Sequence, residues 1–138
     1  MNRPPFDRSR LLAATVALLI MHGYQAPVGA EPLEQMDFAD GLFSRGLYDM
    51  AAAEYTSLVD GSSTFEGRDA ALFRLAECHR NLGSKVDAER VYHQLMTEFP
   101  TSRFRFRGEF RRAELFLAAR QYDKAARLFT ELIDREPP

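Results

Sequence analysis

The chain has one cysteine, no tryptophan and no excess of charge of either sign. Because Cys78 is alone among 138 residues, an internal disulfide and a zinc site built on several thiolates are both excluded. The 18 basic and 20 acidic residues give a net charge of −2, so no global field points to nucleic acid or an anionic membrane. Sustained alternation of apolar and polar residues is also missing, and sheet structure is therefore not expected.

The first thirty residues have the composition of an export signal. Three arginines precede an uncharged apolar run at residues 11–21, and small residues end at Ala30. This order is typical of a secretory signal peptide. The run is shorter than the roughly 20 residues that cross a bilayer, so cleavage after Ala30 and a periplasmic location are expected. An uncleaved signal that tethers the chain to the membrane is the alternative.

The remaining domain, residues 31–138, repeats itself at a spacing of 37 residues. The positions that coincide are Ala39, Ala76 and Ala113, then Ala51, Ala88 and Ala125, then Tyr55, Tyr92 and Phe129, and then Leu58, Leu95 and Leu132. Self-similarity at this period is typical of a stacked helical array. The predicted units cover about residues 32–68, 69–105 and 106–138.

Each unit has the pattern of two amphipathic helices joined by a turn. In the central unit the first helix is expected to end at Gly83, and Pro100 is expected to stop the second. The recurring alanines would let the two helices approach closely. Gly108 lies inside the first helix of the third unit. Since glycine costs about 1 kcal/mol relative to alanine there, this helix is expected to fray or to begin late.

The second helices carry a recognisable motif, Gly-x-Tyr-x-x-Ala-x-x-x-Tyr, which Gly46 to Tyr55 match in full. Lys85 replaces the first aromatic residue in the second unit, and Arg120 replaces the glycine in the third. The pattern resembles the tetratricopeptide repeat over residues 34–138. The resemblance implies an all-α fold, a right-handed α-solenoid of about three helix-turn-helix units. The longer period and the export signal resemble the bacterial envelope subset, which includes the periplasmic protein of the Tol–Pal system and the outer-membrane assembly lipoprotein.

The same resemblance implies that the first helix of each unit lines a concave groove that binds a partner. The groove residues implied by position are Met36, Asp40, Phe43, Phe73, Glu77, Arg80, Asn81, Arg107, Phe110, Glu114 and Leu117. The recurring carboxylates Asp40, Glu77 and Glu114 would favour a basic, partly apolar partner segment. Two alternatives remain open. The carboxylates can pair with Arg80, Arg111 or Arg112 as solvated salt bridges, and Met36, Phe73 and Phe110 can belong to the core between helices.

Other constellations give weaker signals. Residues 103–112 interleave five arginines with three phenylalanines, a composition that suits single-stranded nucleic acid but that the repeat places in an arginine-rich junction and helix. His79 and His93 lie near Cys78, yet neighbouring helical residues point in different directions, so no metal is expected. No zinc-protease, phosphate-loop or nucleophile motif is present.

The sequence therefore predicts a non-enzymatic interaction scaffold without a cofactor. Its expected partners are other envelope proteins or peptides, and nucleic acid is not among them. A structural or oligomerising unit, or a fragment of a longer array, is the alternative, because the last helix has no polar covering helix.

Overall fold

The computed structural model describes residues 32–61 and 65–135, and the predicted export signal lies outside them. These residues form helices α1 (Pro32–Ser44), α2 (Tyr48–Gly61), α3 (Arg68–Asn81), α4 (Lys85–Glu98), α5 (Arg105–Ala118) and α6 (Tyr122–Asp134). No strand occurs in the two described ranges. The predicted all-α solenoid is confirmed. Every helix among the described residues falls short of the length and apolar content needed to cross a membrane.

The helices follow the repeat closely. Each packs against its neighbour in the chain, so that α1 with α2, α3 with α4 and α5 with α6 form the first, second and third units. Helix α3 begins at Arg68 and α5 at Arg105, a spacing of 37 residues. The expectation that α5 would fray or begin late was therefore wrong.

Gly108 explains that outcome. It is buried in α5, and a β-carbon placed there would lie 3.3 Å from Cδ2 of Leu95 and 3.6 Å from Cδ1 of Tyr92. The absent side chain lets α5 lie close against α4. Packing between the units offsets the low helix propensity of glycine, which tertiary contacts routinely override.

Alanines line the contacts between helices, as the sequence predicted. The six alanines shared by the units are 0–2% exposed: Ala39, Ala51, Ala76, Ala88, Ala113 and Ala125. Tyr55 and Tyr92 are fully buried beside them. The core cluster of alanines and large side chains runs from Ala39 to Leu95 and includes Leu115 of α5.

The turn inside each unit uses a left-handed residue at the same repeat position. Gly46 has φ 76°, Gly83 has φ 77° and Arg120 has φ 59°. Glycine adopts this conformation readily, whereas a residue with a β-carbon pays about 1–2 kcal/mol. The third unit therefore keeps the turn geometry of the other two with a residue that disfavours it.

Candidate partner-binding surface

Arginines join the first helices of successive units into one surface. Nε of Arg74 in α3 lies 3.4 Å from Oδ1 of Asp40 in α1, and its guanidinium lies 5.0 Å from the ring centroid of Phe43. One repeat later, Nε of Arg111 in α5 lies 3.5 Å from Oε1 of Glu77 in α3. We call the surface formed by α1, α3 and α5 the first-helix face.

In the first and second units, a tyrosine of the second helix donates a hydrogen bond to a carboxylate of the first helix. We call this contact the tyrosine tie. The hydroxyl of Tyr55 donates a hydrogen bond to Asp40, and that of Tyr92 donates one to Glu77. Burial, and then the hydrogen bond to the carboxylate, raises the pKa of each phenol above its usual range. Both phenols therefore stay protonated and keep donating at any physiological pH.

The third unit lacks this tie. Phe129 stands where the other units have tyrosine, so the ring of α6 has no hydroxyl to offer Glu114. Glu114 instead accepts a 2.8 Å hydrogen bond from Nη1 of Arg111 in its own helix. Its side chain is 41% exposed, against 11% for Glu77. The carboxylate thus stays accessible at the last unit of the face.

The predicted row of carboxylates is compensated by arginines. Asp40 pairs with Arg74. Glu77 pairs with Arg111 and also with Arg80, whose Nη2 lies 3.1 Å from its Oε2. Arg112 pairs instead with Glu89 of α4 at 2.6 Å. These contacts match the alternative in which arginines pair with the carboxylates. The first-helix face therefore does not carry an unpaired row of acidic residues.

Two of the predicted groove residues are not accessible. Phe73 is 3% exposed and Glu77 is 8% exposed. Phe73 stacks on Phe104 with a centroid separation of 5.1 Å, and Phe104 lies in the connection that leads into α5. Phe73 therefore belongs to the core between units, which was the open alternative for it.

The other predicted residues remain available on the face, and a role for them in binding stays a prediction. Those that are partly exposed are Met36, Asp40, Phe43, Arg80 and Glu114, and those that are exposed are Asn81, Arg107, Phe110 and Leu117. Asn81 donates from Nδ2 to the carbonyl of Glu77 at 2.7 Å. The accessible part of the face thus mixes aromatic, aliphatic and arginine side chains.

Sequence reasoning missed Arg74 and Leu33. Arg74 lies one period before Arg111 and bridges two units. Leu33 occupies in α1 the repeat position that Arg107 has in α5, and it is 67% exposed. The 37-residue alignment contained the signal for both residues.

The face changes charge along its length. Helix α1 contains three carboxylates and no basic residue. Helix α5 contains four arginines and two glutamates. The net charge of the first helices therefore runs from negative at α1 to positive at α5.

Cys78 and His79 are neighbours in α3. Burial raises the pKa of the Cys78 thiol to about 12, so it is not a reactive thiolate at neutral pH. Partial burial lowers the pKa of His79 below its ordinary value. The described residues contain no group of three or more His, Cys, Asp or Glu side chains placed to hold a metal ion.

The repeated helix pairs match a known protein family. The family described as Tetratricopeptide repeat matches residues 70–102 and 109–138. The second and third units are thus similar to tetratricopeptide repeats. Such repeats stack into extended surfaces that bind other proteins, and they typically serve as interaction modules and not as enzymes.

The fold also occurs in a known structure. One solved structure, described as "MamA RS-1 ArsTM double mutant", matches with a TM-score of 0.66 at 16% sequence identity. The match covers 77% of this chain and 56% of the other. At this identity the similarity establishes the fold alone. A comparison with curated protein sequences found no match.

Proposed function

We propose that the chain is a non-enzymatic scaffold that binds a peptide or helix of another protein along the first-helix face. The observation that carries the proposal is the bridging of the three first helices by Arg74 and Arg111. The bridges hold exposed side chains such as Phe110 and Leu117 on one continuous surface. Apolar burial on this surface supplies affinity, and the fixed charges supply selectivity.

The charge distribution of the face specifies the partner further. The exposed carboxylates Glu34 and Asp37 of α1 favour basic residues at one end of a bound segment. The exposed Arg107 of α5 favours acidic residues at its other end. We therefore expect an apolar segment whose charge runs from basic to acidic along the face, and not the uniformly basic segment that the carboxylate row suggested.

Selection from a peptide display library on the full chain tests this proposal. Selected peptides should share an apolar centre with a basic and an acidic end, and Leu117→Glu should weaken their binding. Val86→Glu is the matched control, since Val86 lies on α4 and is 83% exposed. If both variants bind the selected peptides equally, or if the peptides bear no charge gradient, the face is not the binding site.

We also propose that the protein works in the bacterial envelope after export. The basic, apolar and small-residue order of residues 1–30 supports this location. Residues 31–138 should be recovered from the periplasm with Glu31 as the N-terminal residue. Recovery of the intact chain from the membrane fraction would indicate the tethered alternative.

A second candidate function is a structural or oligomerising unit that uses its stacking faces. It is favoured by exposed apolar residues at the end of the third unit, where Ile133 is 82% exposed. Static light scattering on the full chain at high concentration tests self-association. A clean monomer would eliminate this candidate.

A further inference from the structure

A cleft opens between the second and third units at the edge of the stack where the turns inside the units lie. It has a volume of about 190 Å³ and is bordered by the start of α4, the end of α5 and the start of α6. We call it the turn-edge cleft. Its lining includes Lys85, Val86 and Glu89 of α4, Phe116 of α5 and Lys124 of α6.

The only two lysines of the chain both line this cleft. Lys85 and Lys124 are exposed, and neither forms an ion pair with another described residue. Nζ of Lys124 lies 5.3 Å from the ring centroid of Phe116. On the first-helix face, by contrast, Arg74 and Arg111 each pair with a carboxylate. The cleft therefore offers two positive charges that the fold does not neutralise.

The carboxylate that lines the cleft is already paired. Oε1 of Glu89 lies 2.6 Å from Nε of Arg112, and the guanidinium of Arg112 lies 5.4 Å from the ring centroid of Phe116. Glu89 and Arg112 neutralise each other, so the two lysines leave the cleft positive. Val86, which is 83% exposed, adds apolar surface beside them.

The positive charge belongs to this cleft and not to the repeat. Between the first and second units, the positions equivalent to Lys85 and Lys124 are occupied by Tyr48 and Asp87, so the stack forms there without either basic residue. Leu82, which takes the place of a lining residue in that equivalent cleft, is 46% exposed although the third unit follows. Exposure at this edge therefore does not depend on where the array ends.

We infer that the turn-edge cleft binds an acidic segment of a partner protein, in which carboxylates flank one apolar side chain. The carboxylates pair with Lys85 and Lys124, and the apolar side chain packs on Val86 inside the cleft. An apolar cavity of about 150 Å³ holds a molecule the size of benzene, so the cleft has room for one such side chain. Unpaired cations on one partner and carboxylates on the other are complementary. This site is separate from the first-helix face and does not depend on the function proposed for that face.

Nucleic acid matches the cleft less well than an acidic peptide does. Single-stranded nucleic acid binds largely by stacking its bases on aromatic rings. Arg112 and Lys124 already lie over the ring of Phe116, so the ring is not free to receive a base. A short oligothymidylate is therefore the competing ligand in the test.

Fluorescence anisotropy with an acidic peptide tests the inference. The probe is a short peptide with glutamates on both sides of a central leucine, and it is labelled with fluorescein and titrated with the full chain. One matched probe has glutamine in place of each glutamate, and a second has glycine in place of the leucine. Each change should weaken binding by about tenfold. The parent probe should bind more tightly than the oligothymidylate.

Charge reversals in the protein locate the site. Lys85→Glu and Lys124→Glu should each weaken binding of the parent probe about fivefold, and the double variant should weaken it further. Arg45→Glu is the matched control, because Arg45 is an exposed basic residue beside the turn of the first unit, and it should leave binding unchanged. Circular dichroism checks that the helices remain in every variant.

Arg107→Glu separates this site from the first-helix face. Arg107 is exposed and precedes Phe116 by about 14 Å along α5, farther than the screening length of about 8 Å at physiological salt. Binding of the parent probe should therefore be unchanged in this variant. Weakening by Arg107→Glu without weakening by the lysine reversals would place the probe on the first-helix face and overturn the inference.

Other results would also overturn the inference. They are failure of the parent probe to bind, equal binding of the glutamine probe, or unchanged binding by the double lysine variant. Tighter binding of the oligothymidylate, weakened by both lysine reversals, would make the cleft a nucleic-acid site instead.

Discussion

The second and third units have the same helix spacing but differ in burial. Leu95 in α4 is 0% exposed, and Leu132 in α6 is 6% exposed beside an open cavity. Tyr92 is tied to a buried carboxylate, whereas Phe129 is not. The second unit is complete because α5 covers it. The comparison teaches that the second helix of a unit is fully buried only where the next unit packs on it.

The largest expected effect comes from shortening the leucine of α4. Leu95→Ala should lower the free energy of unfolding by about 3 kcal/mol, because it leaves a closed cavity between α4 and α5. Leu132→Ala should cost clearly less, since the space it leaves opens to solvent. Urea unfolding followed by circular dichroism measures both values. Equal costs would contradict the view that the third unit is only partly packed.

The tyrosine tie should have the next largest effect. Tyr92→Phe gives the second unit the ring of the third, and it removes a hydrogen bond to a charged group worth about 1.5–3 kcal/mol. The reverse change, Phe129→Tyr, should stabilise the chain by a smaller amount, because Glu114 is partly solvated. Both variants are compared in the same unfolding experiment. A neutral Tyr92→Phe would show that Arg80 and Arg111 alone satisfy Glu77.

A smaller effect is expected at the turn. Arg120→Gly replaces a residue at φ 59° with the residue of the other units, and it should stabilise the chain by about 1 kcal/mol. Gly83→Ala should destabilise it by a similar amount, although no atom lies within 4 Å of the added β-carbon. Midpoints of thermal unfolding report both shifts. Unchanged midpoints would mean that the turn tolerates either residue.

The smallest effect concerns pH. The pKa of His79 is lowered by burial in the folded chain, so the unfolded chain binds its proton more readily. The resulting stability is present above about pH 6.5, the ordinary pKa of histidine, and is lost as the pH falls through the folded pKa. His79→Phe, which copies Phe116 of the third unit, should flatten the dependence of unfolding on pH between 7 and 5. A slope identical to that of the parent would remove His79 as its source.

Much of the fold could be predicted from periodicity. Ala76 and Ala113 recur at one spacing because helices can approach only where side chains are short, so the constraint is local and visible in the sequence. The start of α5 was mispredicted for the opposite reason. The propensity of Gly108 is a property of one residue, whereas the contact with Leu95 that overrides it depends on where α4 lies.

The candidate site was harder to predict. A carboxylate and a tyrosine 15 residues apart, such as Glu77 and Tyr92, could have been recognised as a repeated pair. The burial of Phe73 could not, because it depends on Phe104, and the equivalent position of the second unit is a glycine, Gly67. The resemblance to the repeat family correctly placed Phe73 on a first helix. The exposure of its side chain, however, is set by the loop that packs over it.

The arginine bridges give the stack a property that its alanine contacts do not have. The side chains of Arg74 and Arg111 are 42% and 31% exposed, so dissolved ions reach them, and at 1 M salt the screening length falls to about 3 Å, close to the length of these ion pairs. Van der Waals packing is indifferent to ionic strength. Concentrated salt should therefore widen the range of angles between successive units while every helix stays intact. The stiffness of the stack would then depend on the ionic strength of the solution.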